Sequence, residues 1–211
     1  VSRALAGDGA RVAEAAPVAR IGPNAITRVA EALDQLHGEE ARRSVFARAQ
    51  LSHYLATAPE SMVDEAEVQR LHRALRNSFE SASARRVARL AGERTGDYLL
   101  AHRIPRAAQA VLKRLPAPLA ARVLLSAIQR HAWTFSGSGR FTALPGRPIH
   151  LAITHCPLCR QEVSSDGSTQ CDYFAATFER LLRTLVHPEI RVIEVQCEAA
   201  GGSACEFEAR W

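Results

Sequence analysis

Apolar residues recur at helical spacing through the N-terminal half of the chain. After the turn Arg20-Ile21-Gly22-Pro23-Asn24, the residues Ile26, Val29, Ala30, Leu33 and Leu36 form one stripe that stops near Gly38, the period of a helix buried along one side. The same period runs through residues 39 to 56, 64 to 79 and 84 to 102, with breaks at Thr57-Ala58-Pro59-Glu60 and Ile104-Pro105. Proline lacks the amide donor that would continue a helix. Two shorter helices, 105 to 114 and 117 to 131, follow across Leu115-Pro116-Ala117-Pro118.

The period then changes. Trp133, Phe135, Phe141, Ile149, Leu151 and Ile153 lie in short alternating runs, broken by Ser136-Gly137-Ser138-Gly139 and Pro145-Gly146. This predicts two strands joined by a loop. From Cys171 to His187 a helix carries Phe174, Phe178, Leu181, Leu182 and Leu185 on one face, and two strands follow, Arg191 to Cys197 and Ala204 to Arg210. The C-terminal half therefore reads β-β-α-β-β, an α+β fold in which helices cover an antiparallel sheet. Residues 1 to 19 lack apolar periodicity and are expected to form a flexible tail, with a helical region over 20–104 and the sheet-bearing domain over 105–211.

Composition changes this picture in only a few respects. With 211 residues, 47% of them hydrophobic, the chain can bury a real core. It has no apolar run near the roughly 20 residues that cross a bilayer and no signal-like start, so a cytoplasmic protein without a transmembrane segment is expected. The net charge of +5 comes almost wholly from arginine, Lys113 being the only lysine. The arginines alternate with acidic residues, as in Glu65 to Arg76, and aromatics make up only 6% of the chain. That is a solvated helix face and not a nucleic-acid-binding block.

The chemistry lies in the cysteines. Cys197 and Cys205 flank Glu198-Ala199-Ala200-Gly201-Gly202-Ser203-Ala204; a reversal at the glycines would place them face to face on adjacent strands. Glu194 lies just upstream, and Cys171 opens a helix, where the N-terminal dipole favours a thiolate. Together the four residues could ligate one metal ion. Strand alternation objects, because Glu194 and Cys197 are three residues apart, so a bulge or a strand end must intervene. Two other readings stay open on spacing alone: buried small hydrophobes, or a cross-strand disulfide between Cys197 and Cys205. Cys156-Pro157-Leu158-Cys159 is a C-x2-C knuckle without a second knuckle to match it.

Arg20-Ile21-Gly22-Pro23-Asn24-Ala25-Ile26, Gly92-Glu93-Arg94-Thr95-Gly96-Asp97-Tyr98-Leu99-Leu100 and His102-Arg103-Ile104-Pro105 resemble the BchJ family, 23 kDa proteins of bacteriochlorophyll biosynthesis in purple phototrophic bacteria. The resemblance runs from about residue 20 to the end. The C-terminal part is similar to the 4-vinyl reductase small-molecule-binding domain, which also occurs in phenol-sensing transcription activators and is related in fold to TRAPP subunits. In those sensors a structural zinc is held by Cys, Glu, Cys and Cys. Cys171, Glu194, Cys197 and Cys205 stand at the corresponding spacings, while Cys156 and Cys159 lie outside that set.

The resemblance implies a protein that binds a Mg-tetrapyrrole such as divinyl protochlorophyllide as carrier or accessory factor. The alternative it implies is an 8-vinyl reductase of divinyl (proto)chlorophyllide. Reduction needs a hydride or electron donor, and no cofactor signature is present. Gly137-Ser138-Gly139 lacks the third glycine and the helix of a dinucleotide site, and Gly92-x3-Gly96 lies inside a helical pattern where small residues permit close helix packing. A binder needs an apolar surface with a few placed polar groups. His131, Trp133 and His150 are the pigment-binding candidates, an imidazole being able to ligate Mg. Four protein ligands would leave zinc no open position, so its expected role is structural. By analogy with relatives, a homodimer is expected, and magnesium chelatase or another pathway enzyme is a candidate partner.

Overall fold

The computed structural model describes residues 18–211, so the expected N-terminal tail lies almost wholly outside the described residues. A two-residue strand β1 (Arg20–Ile21) leads into α1 (Asn24–Arg48), which is interrupted at Gly38 with φ 81°. The expected break at Gly38 is therefore present. The helix expected over 39 to 56 is instead split: α1 ends at Arg48, and only the single turn α2 (His53–Ala56) follows. Strand β2 (Val63–Asp64) pairs antiparallel with β1. Asp64 then caps α3 (Glu65–Ser78) by accepting the Ala66 N–H at 2.8 Å. Next come α4 (Ser81–His102), α5 (Arg106–Leu112) and α6 (Ala117–Arg130).

The expected strand at Trp133 is a single helical turn, α7 (Trp133–Ser136). It places Phe135 against Phe141 at 5.2 Å and against Phe174 and Phe178 at 6.0 Å, while Trp133 remains 62% exposed. The sheet begins with β3 (Arg140–Leu144) and β4 (Ile149–Thr154). Helix α8 (Asp172–Leu185) crosses to β5 (Arg191–Gln196), and β6 (Cys205–Arg210) ends the chain's regular structure. The strand order is β3-β4-β6-β5, antiparallel throughout. This is the α+β arrangement β-β-α-β-β.

Helix α8 is buried on nearly every side because it lies between two layers. Toward the sheet, Phe178 meets Phe141 and Phe207 with ring centroids 5.6 Å apart. Toward the helical region it packs on α4. A Cβ on Gly92 would come within 2.9 Å of the Ala176 Cβ and deeper still into the Tyr173 carbonyl; one on Gly96 would meet the Arg180 Cβ at 2.6 Å. Glycine at these two points lets the backbones close up. Ion pairs border the seam: Arg85 to Asp172 at 2.9 Å and Arg180 to Asp97 at 2.6 Å. Arginines of both helices thus take part in helix-to-helix pairing.

His72 of α3 is fully buried beside Tyr173 and is hydrogen-bonded to the Ala25 backbone. Burial, aided by the nearby Arg76 charge, pushes its pKa down to about 3. A folded pKa below the unfolded value of roughly 6.5 means that the unfolded chain binds the extra proton. Stability is therefore expected to fall as pH drops from about 6.5 toward 3, by up to about 1.4 kcal/mol per pH unit from this group. Unfolding free energies measured in urea across that range should fall less steeply with pH for His72→Phe, and an unchanged pH dependence would contradict the assignment.

Candidate metal centre

All five cysteines are buried and unbonded, and the fold brings their sulfurs to one place. Cys171 caps the N-terminus of α8, its carbonyl accepting the Phe174 and Ala175 N–H groups at 3.0 and 3.2 Å. Cys205 opens β6 opposite Ile153. Cys197 lies just past a β-bulge between Glu194 and Gln196, the irregularity that the three-residue separation of Glu194 and Cys197 required. After Cys197 the chain makes a 3-10 turn over Glu198–Ala200 and reverses at Gly201, which is left-handed at φ 87°. Gly202 then donates its N–H to the Cys197 carbonyl at 2.9 Å, where a side chain would strike Gln196.

Cys171, Glu194, Cys197 and Cys205, the four residues expected to share an ion, each offer a ligand atom within 4.8 Å of the others. Cys171 and Cys205 have sulfurs 3.6 Å apart, and Cys197 and Cys205 3.9 Å. A disulfide would need about 2.05 Å, so these are separate thiols at the spacing of ligands on a common ion. Glu194 accepts the Cys171 N–H through Oε2 at 2.7 Å, while its buried Oε1 has no hydrogen-bond partner. Burial, together with the neighbouring Cys197, pushes the carboxyl pKa up to about 9. An orphaned buried oxygen beside crowded thiols is the environment a bound cation would relieve.

The knuckle also belongs here. Cys156 Sγ lies 3.5 Å from Cys171 Sγ, and Cys159 Sγ lies 3.4 Å from Cys171 and 3.2 Å from Cys205. Cys156, Cys159, Cys171 and Cys205 form a second group of four within 4.8 Å. Spacing offers only weak notice of this, because the knuckle's partners are single cysteines far apart in the chain and not a second C-x2-C. Crowding divides the thiols: Cys159 is drawn well below the ordinary thiol range by hydrogen bonds from Cys156 and its other neighbours, and Cys171 is raised.

The three pigment-binding candidates lie elsewhere, at the surface. His131 ends α6 with Nδ1 2.9 Å from the Ala127 carbonyl, Trp133 is exposed on α7, and His150 on β4 lies 3.9 Å from Glu208. None of them lines either of two small cavities. One, of about 210 Å3, is bordered by His72, Arg76 and Gln170; the other, of about 340 Å3, lies between α1 and the segment Tyr54 to Pro59. Among the described residues no helix is long and apolar enough to cross a membrane.

Comparison with known proteins places the chain. Residues 149–210, which carry Cys156, Cys159, Cys171, Glu194, Cys197 and Cys205, match the 4-vinyl reductase domain. Solved H-NOX structures share the fold. The Fe(II) unliganded H-NOX protein from K. algicida aligns with TM-score 0.53 at 11% identity, covering 90% of this chain and 96% of that one. A Cs H-NOX variant aligns with TM-score 0.52 at 15% identity over the same shares. Among curated proteins, the bacteriochlorophyll synthase 23 kDa chain of Rhodobacter capsulatus is 41% identical over 89% of this chain and 85% of its own length. That of Cereibacter sphaeroides is 45% identical over 90% and 89%. Similarity of that extent, spanning the helical region as well as the 4-vinyl reductase domain, means that the chain belongs to the family of the bacteriochlorophyll synthase 23 kDa chain.

Proposed function

We propose that this protein serves bacteriochlorophyll biosynthesis by binding a Mg-tetrapyrrole intermediate, divinyl protochlorophyllide or a close relative, as a carrier or accessory factor. The observation that carries this reading is the 45% identity with a bacteriochlorophyll synthase 23 kDa chain over nearly the whole chain. The surface supplies suitable groups. Leu119 and Val123 on α6, Trp133 on α7 and Leu144 on β3 are exposed apolar side chains on elements that pack together, and burying a pigment face on such a surface drives binding. At His131 the Ala127 carbonyl can only accept, so Nδ1 carries the proton. The neutral ring then presents the Nε2 lone pair outward, the arrangement of a metal-ligating histidine held by a backbone carbonyl. His150, paired in register with Leu144, offers a second imidazole.

The metal centre is structural in this reading. Zinc would be held by Cys171, Cys197 and Cys205 with Glu194 as the oxygen donor, a closed shell that joins the start of α8 to the β5–β6 hairpin. It would fix the sheet and its covering helix and leave pigment binding to the other side chains.

The test is an anaerobic absorbance titration with divinyl protochlorophyllide, followed by NADPH and chromatography of the extracted pigment. A saturable spectral shift with unchanged pigment is expected, and His131→Ala should weaken binding roughly tenfold, about 1.4 kcal/mol. Monovinyl product formed in proportion to protein and time would make the protein a vinyl reductase, and absence of any shift would refute pigment binding.

A further inference from the structure

We infer that Cys159 is a ligand of the metal ion, occupying the fourth position as a thiolate in place of the Glu194 carboxylate. The inference rests on the metal reading above and changes its fourth ligand. Four thiolates about 2.3 Å from one zinc ion lie about 3.8 Å from each other. Around Cys159 the sulfur separations are 3.2 Å to Cys205, 3.4 Å to Cys171 and 3.7 Å to Cys197. The remaining edges are 3.6 Å from Cys171 to Cys205 and 3.9 Å from Cys197 to Cys205, with Cys171 and Cys197 within 4.8 Å. Cys159, Cys171, Cys197 and Cys205 thus outline a tetrahedron of thiolate size. Cys156 stands to one side of it, against Cys171 at 3.5 Å.

Cys159 is also held in place from several sides. The knuckle is closed by the Arg160 N–H donating to the Cys156 carbonyl at 2.9 Å. The Glu198 carboxylate accepts the His155 and Cys156 N–H groups at 2.6 and 2.9 Å, fastening the knuckle to the turn that carries Cys197. From α3, Arg76 donates to the Leu158 carbonyl at 3.0 Å and Gln69 to the Arg160 carbonyl at 2.5 Å. Arg160 itself pairs with buried Glu65. These partners fix the loop, which is how metal ligands are held by their surroundings. Glu194 is engaged by the Cys171 N–H through Oε2; in the all-sulfur site it remains behind Cys171, orienting that ligand's backbone. A softer, all-thiolate set also favours zinc over hard cations. Loading releases the four thiol protons to solvent.

X-ray absorption at the zinc edge of the full chain, with metal stoichiometry measured on the same sample, tests this directly. One zinc with four sulfur neighbours is expected. Cys159→Ser should convert that shell to three sulfurs and one oxygen, whereas Cys156→Ser and Glu194→Gln should keep four sulfurs. One zinc with three sulfurs and one oxygen in the unaltered protein would overturn the role of Cys159 and leave the Glu194 site standing. No bound zinc after loading would overturn both. Because the unaltered chain decides the question, a variant that fails to fold does not blunt the test.

Discussion

Gly92→Ala is expected to destabilise the protein by about 3 kcal/mol, a fall in melting temperature of roughly 6–12 °C for a chain of this size. The reason is local and steric. The added methyl would press into the Tyr173 carbonyl and the Ala176 side chain, and neither can rotate away because both belong to the body of α8. The two helices would have to separate, and α4 is the main element through which the helical region contacts α8. Gly96→Ala should cost less, because part of what its methyl would meet is the Arg180 Cγ, which can change rotamer. Thermal unfolding followed by circular dichroism checks both. An unchanged midpoint for Gly92→Ala would mean that the α4–α8 seam is looser than described.

Removing the metal is expected to cost about 4 kcal/mol or more, because binding energy at a site formed only on folding is folding energy. The consequence should be local first: α8 loses the ligand at its N-terminus, and the β5–β6 hairpin loses the tie at Cys197 and Cys205. Cys205→Ser should behave like metal removal, since Cys205 is fully buried in the sheet and close to three other sulfurs. Melting curves before chelation, after chelation and after zinc is restored separate loss of metal from damage to the core. A chelated, metal-free sample that melts where the loaded one does would remove the structural role.

The long elements are legible in the sequence for a physical reason. Helices α1, α3, α4, α6 and α8 each carry an apolar stripe long enough to show a period. Strands β1 and β2, with two residues each, carry none. At Trp133 the outward Trp and inward Phe135 fit a strand and a single helical turn equally well, and the turn is what forms. The close packing permitted by Gly92 and Gly96 could be read directly from small residues inside a helical pattern. At the metal centre, the spacing of Glu194 and Cys197 required a bulge, and the bulge is present. What spacing could not reveal was the approach of Cys159. That depends on the loop between β4 and α8 folding back under Glu198, Arg76 and Gln69, contacts between residues far apart in sequence.

The gathering of buried thiols also narrows the readings that sequence left open. Packed small hydrophobes would not leave a carboxylate oxygen orphaned beside them, and a disulfide would draw two sulfurs together and leave the others apart. The most direct measurement is the intact mass of the protein purified without added metal, taken under native conditions and again after denaturation. One zinc per chain that is lost on denaturation, with the denatured mass matching five free thiols, is the expected result. A metal-free native mass about two mass units short for each disulfide formed would contradict a metal centre and make the cysteines a covalent staple.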